Sequence, residues 1–121
     1  MLARMILSRV RRAAPYAVFA VLLLAISFSS MSRKGSAFDE GVHLSAGYTH
    51  LAHGFRMDPN TPPLTNMISA LPLLWLGPSV DLQDETLRGG RAWHFACKFL
   101  YRWNDADALL FWGRVPVVLL S

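Results

Sequence analysis

The chain has 121 residues, room for one small domain. Hydrophobic residues make up 53% of it and charged residues 17%, a balance that argues against an ordinary soluble domain and for a membrane class. The single cysteine, Cys97, excludes an internal disulfide framework or a multi-cysteine zinc site, and it reads as a packing residue.

The net charge of +4 is unevenly spread. Arg4, Arg9, Arg11 and Arg12 occupy the first twelve residues with no acid among them, and the eight later basic residues are balanced by eight acidic ones. A basic tail directly ahead of an apolar run marks the cytoplasmic side of a membrane segment. Nucleic-acid binding is the weaker alternative, because no basic stripe with interleaved aromatics follows.

Residues 13–32, AAPYAVFAVLLLAISFSSMS, carry no charge. As a helix rising ~1.5 Å per residue they cover the ~30 Å hydrocarbon core, with Pro15 expected in the first turn where its missing N–H costs little. Four arginines before this run outweigh Arg33 and Lys34 after it. Residues 1–12 are therefore expected in the cytoplasm and residues 33–105 on the outer side of the inner membrane. The rival is a cleaved signal peptide, whose small-residue stretch would be Ala25-Ile26-Ser27.

The external stretch opens with AFDEGVHLSAGYTHLAHGF, residues 37–55. At 100° per residue Leu44, Tyr48, Leu51 and Phe55 form an apolar stripe, while Asp39, His43, Ala46, His50 and His53 gather on another face beside Gly47. One side can bury, and the other offers a carboxylate and imidazoles. A carboxylate there can take a proton from a hydroxyl nucleophile. Asp39 and Glu40 diverge by about 100° on a helix, so one can act on a substrate while the other orients a neighbour. The plainer alternative is that Asp39 caps the helix.

No cofactor is called for. Asp39 with His43, or His50 with His53, could each give two ligands to a divalent metal, but no H-E-x-x-H motif is present, and His43 and His50 lie ~10.5 Å apart along the axis. Hydrogen-bonded or exposed histidines at an interface fit better.

Thr61-Pro62-Pro63 should start a helix through LTNMISALPLLWLG, bent at Pro72, ended by Gly77-Pro78 and lying at the interface with Trp75 at headgroup level. SVDLQDETLRGG reads as a polar loop. RAWHFACKFLYRW has an interfacial composition, with a core helix as the alternative. Asn104-Asp105 with Asp107 reads as a helix N-cap ahead of ALLFWGRVPVVLLS, residues 108–121. Residues 106–121 are expected to begin a second membrane helix, interrupted by Arg114 and Pro116. The expected fold is thus an all-α membrane protein: one complete transmembrane helix, juxtamembrane interfacial helices and the start of a second span.

FDEGVHLSAGYTHLAHGFRMDPNTPPLTNMISALPLL resembles the first external loop of GT-C membrane glycosyltransferases, in the branch holding protein O-mannosyltransferases and aminoarabinose transferases, also described as phospholipid carrier-dependent glycosyltransferases. The likeness rests on the Asp-Glu pair after the first membrane helix, the glycine-aromatic helix, the Pro-Pro-Leu helix start and the Asn-Asp-Ala-Asp segment. It implies sugar transfer from a polyprenyl-phosphate donor to an acceptor outside the membrane, in the cell envelope. Asp39 would be the general base on the acceptor hydroxyl and Glu40 its acidic companion, with His43 and His50 as candidate substrate-binding residues. The lipid bilayer is an implied partner and nucleic acid is not; the acceptor is not specified. Where the family often has an acid before the Pro-Pro pair, this chain has Asn60. The chain is expected to be the front part of a longer transferase, inactive as 121 residues alone; a membrane-anchored interaction protein or a secreted domain are the alternatives.

Anchor and signal peptide are distinguished by a membrane wash. An uncleaved anchor keeps the full-length chain in membranes at high salt, whereas cleavage gives a mature N-terminus near residue 28 and a chain released by the same wash.

Overall fold

In the computed structural model residues 2–54, 57 and 62–120 are described, without the side chains of 2–8 and 10. Phe55, Asn60 and Thr61 lie outside the described residues, as does the Arg4 side chain. Every regular element among the described residues is helical. The chain divides after Arg33 into two compact units.

The first unit is one helix, α1 (Leu2–Met31). It starts well before the apolar run, because Leu, Ala, Arg and Met all favour helix and the basic residues continue it without a break. Pro15 therefore lies inside α1 and not in its first turn, at the cost of one backbone hydrogen bond. Within α1, Arg11–Met31 is long and apolar enough to cross a membrane, a property shared with signal sequences. Side chains 11–26 are exposed all round. A helix apolar on every side needs lipid or protein around it.

The second unit is built around α2 (Glu40–His53), which Gly54 ends in a left-handed C-cap with φ 65°. Packed on it are α3 (Pro63–Ala70), α6 (Ala92–Cys97) and α7 (Ala106–Leu120). The expected long third helix is broken in two. Pro72 cannot donate to the ladder, so α3 gives way at Leu71 to a short α4 (Leu73–Leu76), closed by Gly77 at φ 59°. The segment read as a polar loop contains a one-turn helix, α5 (Glu85–Arg88), and a π-helical turn spans Lys98–Arg102 after α6.

The core joins Leu44 and Tyr48 of α2 to Ala70, Leu73, Leu87, Phe95, Phe99, Leu100, Leu109 and Leu110. Phe95 and Phe99 are fully buried and stack with centroids 6.4 Å apart; Tyr48 lies 5.8 Å from Phe99 and donates its hydroxyl to the Pro78 carbonyl at 3.2 Å. The aromatic segment 91–103 thus supplies the core with Phe95, Ala96, Phe99 and Leu100 at helical spacing, as in the core-helix alternative, and exposes Trp93 and Tyr101. Cys97 is exposed, not packed: it falls on the outer side of α6, opposite the Phe95 and Phe99 rings.

Both faces of α2 are buried at its middle. Ser45 and Thr49 are fully buried, their hydroxyls donating to the Gly41 and Ser45 carbonyls at 2.8 and 2.9 Å. Ala46 is buried and Gly47 lies against α3, so the polar face read from periodicity is not continuous. At Gly47 the helices cross so closely that an added methyl would collide with the Asn66 backbone carbonyl. α7 meets α2 through Gly113, where a methyl would stand 2.6 Å from Leu44.

Gly47→Ala is expected to lower stability by about 1–3 kcal/mol, since backbone must move to admit it. Gly35→Ala, with open space at its Cβ, should stay within about 0.5 kcal/mol of wild type. Denaturation of the purified chain, followed by tryptophan fluorescence, checks both.

Candidate active site at the start of α2

The site begins in the segment after α1, Ser36-Ala37-Phe38-Asp39-Glu40. Ala37 and Glu40 close a turn, with the Glu40 N–H donating to the Ala37 carbonyl at 3.3 Å. The Glu40 carboxylate folds back and accepts the Ala37 N–H at 3.0 Å, a local side-chain-to-backbone bond that closes the turn ahead of the helix. Asp39 is the N-cap of α2, but its backbone is near-helical, φ −99° and ψ −11°. A side chain that caps usually starts from extended backbone. Accordingly the Asp39 carboxylate makes no capping bond. It is exposed, and among the described residues it has no hydrogen-bond or ion-pair partner.

Glu40 is in the opposite state. Arg114, eight residues into α7, grips it with two charge-assisted bonds, Nε to Oε1 at 2.6 Å and Nη2 to Oε2 at 2.7 Å. The same guanidinium donates from Nη1 to the Lys34 carbonyl and from Nη2 to the Gly35 carbonyl, each at 2.8 Å. Burial pushes the Glu40 carboxyl up, but hydrogen bonds from Arg114 and the Ala37 N–H, with the Arg114 charge, outweigh it and hold the pKa below the usual glutamate range. The adjacent acids therefore differ sharply: one is committed on both oxygens, the other is open.

Of the four residues singled out from sequence, Asp39, Glu40 and His43 come together on the first turn of α2. His43 follows Asp39 by one turn, ~6 Å along the axis, and its Nδ1 is buried with no hydrogen-bond partner among the described residues. His50 is not part of this cluster. α2 runs unbroken from Glu40 to His53, which puts His50 two turns beyond His43, with the buried Ala46-Gly47 crossing between them. His53 lies edge-on to Tyr48 at 6.0 Å. Among the described residues no three His, Cys, Asp or Glu side chains converge as a metal site would require.

Sequence reasoning missed Arg114 as part of the site. The signal was present: a cation in an otherwise apolar helix requires a counter-charge. It also missed the aromatic pair beside Asp39. Phe38, 83% exposed, meets Trp93 of α6 with ring centroids 4.4 Å apart.

Two further polar anchors hold the surrounding loops. Asn104 was read as part of a helix cap, but the cap of α7 is Asp105, whose carboxylate accepts the Asp107 N–H at 3.0 Å. Asn104 instead clasps Ser79, accepting its N–H at 2.7 Å and donating to its carbonyl at 2.8 Å. Asp84 caps α5 by accepting the N–H of Thr86 at 2.8 Å, takes the Thr86 hydroxyl as well, and pairs with Lys98 at 2.7 Å.

The Lys98 hydrogen bond, then that from Thr86, lowers the Asp84 pKa from 3.8 to about 2. A depressed carboxylate adds stability above its ordinary pKa and loses it as pH falls through the folded value. Wild type should accordingly lose stability across the window between 3.8 and about 2. Lys98→Met should flatten that loss, as read from denaturation midpoints at stepped pH.

No protein-family model, no curated protein and no solved structure matches the chain.

Proposed function

We propose that these residues form the N-terminal membrane anchor and first external loop of an integral-membrane glycosyltransferase. The enzyme moves a sugar from a polyprenyl-phosphate donor to an acceptor on the outer face of the membrane, with Asp39 as general base. The observation that carries this reading is the open Asp39 carboxylate beside a Glu40 fully occupied by Arg114. A base must reach substrate, and an acid already bonded on both oxygens is poorly suited to do so.

In the proposed step Asp39 takes the proton of an acceptor hydroxyl as its oxygen attacks the anomeric carbon. The bond from that carbon to the phosphate oxygen breaks, and polyprenyl phosphate leaves with the bonding electrons. His43, one turn along, is near enough to share the substrate with Asp39; His50 would meet only an extended acceptor. The lipid-linked donor explains why the acids lie so few residues after an apolar helix, since its phosphate is confined to the membrane boundary.

The rest of the loop suits that boundary. Residues 62–80 contain no charge, and Leu71, Leu74, Trp75 and Leu76 are exposed, Trp75 at 89%. Such a surface fits the headgroup region, where tryptophan is favoured. It fits equally a membrane-anchored interaction protein with no chemistry, which is the second reading.

Asp39→Asn separates the two. In the protein expressed from its own gene in its own membrane, with labelled polyprenyl-phosphate-linked hexose or pentose as donor, we expect transfer to fall by about a hundredfold or more at unchanged protein level. Wild-type transfer by Asp39→Asn would reject the base role, and no transfer by the wild-type protein would leave the interaction reading.

A further inference from the structure

We propose that Arg114 is the positioning residue of this site: it holds the segment from Lys34 to Glu40 so that Asp39 is the one carboxylate offered to substrate. The inference rests on the reading of Asp39 as base.

The geometry is unusual in how much one side chain restrains. Four bonds of 2.6–2.8 Å run from the guanidinium to both oxygens of Glu40 and to the Lys34 and Gly35 carbonyls. These attachments flank Asp39 in sequence, five and four residues before it and one after. One of the tethered residues is Gly35, whose backbone is otherwise free to swing. The guanidinium itself has a firm base, because Leu109, Leu110 and Gly113 of α7 are buried. The planar five-donor fork can grip a carboxylate and two carbonyls at once; a lysine ammonium cannot reproduce that pattern.

The clamp also decides between the two acids. With Arg114 in place Glu40 is occupied, and Asp39 remains open. Without it, Glu40 becomes a second free carboxylate beside the first and the turn that presents Asp39 loses its tether. Arg114 touches no reacting atom in this scheme. It acts through Glu40 and the backbone.

The test uses the protein in its own membrane with the same labelled donor. Arg114→Lys, Glu40→Gln and Asp39→Asn are compared by hydrogen exchange over residues 34–40, by folded fraction, and by kcat and donor KM per folded molecule. For Arg114→Lys we expect about tenfold faster exchange in that segment. Its kcat should fall about ten- to a hundredfold, as misplaced catalytic groups do, with donor KM changed less than about twofold. Glu40→Gln keeps both carbonyl bonds and should fall between Arg114→Lys and wild type on both readouts. Asp39→Asn should lower transfer by about a hundredfold or more without altering exchange. A purely structural Arg114 would lower the folded fraction and leave kcat per folded molecule at the wild-type value, which overturns the proposal; so does unchanged exchange in both Arg114→Lys and Glu40→Gln. Wild-type transfer by Asp39→Asn overturns instead the reading on which the proposal rests.

Discussion

The second unit depends on one ion pair. Arg114 and Glu40 are 74 residues apart in sequence, and both are mostly withdrawn from solvent, with side chains 16% and 24% exposed. At that depth neither charge is comfortable alone, and the pair is tolerable because nearly every polar group in it is satisfied. Glu40 takes hydrogen bonds on both oxygens, and Arg114 gives at least four. The result ties the beginning of the unit, the first turn of its central helix and its last helix into one knot. Asp39 stands at the edge of that knot without being drawn into it.

Around the knot, small residues set how closely helices approach. Gly47 lets α3 lie against the backbone of α2, and Gly113 makes room for Leu44. The Gly47 contact fixes α2 from the side that periodicity alone assigns to a polar face, and the Gly113 contact seats the apolar stripe at Leu44. The buried hydroxyls of Ser45 and Thr49 are harmless there because they bond to their own helix. What is left for chemistry is the first turn, where Asp39 and His43 share a side and the exposed Phe38–Trp93 pair begins one residue before Asp39.

Much of the helical plan was legible in the sequence, for local reasons. The charge-free run after the arginines, Pro63 at a helix start, Gly77 at a helix end and the stripe of Leu44 and Tyr48 each act within a turn or two. The misses required tertiary knowledge. Pro15 looked like a helix start because the arginines before it were read as a tail, whereas they extend α1. Phe95 and Phe99 looked interfacial because composition does not say which side of a segment faces inward, and Cys97 looked packed for the same reason. His43 and His50 share a face by angle and stand ~10.5 Å apart along the axis, which periodicity shows; the close crossing at Gly47 between them it does not. The partner of Glu40 could be anticipated in kind, a cation in an apolar helix, but its identity as Arg114 depends on how α7 folds back.

The account turns on a division of labour between two adjacent acids, one open and one clamped. Carbodiimide-driven coupling of a small amine to the folded protein, with the modified carboxylates located by mass spectrometry, tests that directly. The account predicts that Asp39 is modified early while Glu40 is protected, and that Glu40 becomes reactive once Arg114 is replaced. Rapid modification of Glu40 in the wild-type chain, or protection of Asp39 equal to that of Glu40, would contradict it.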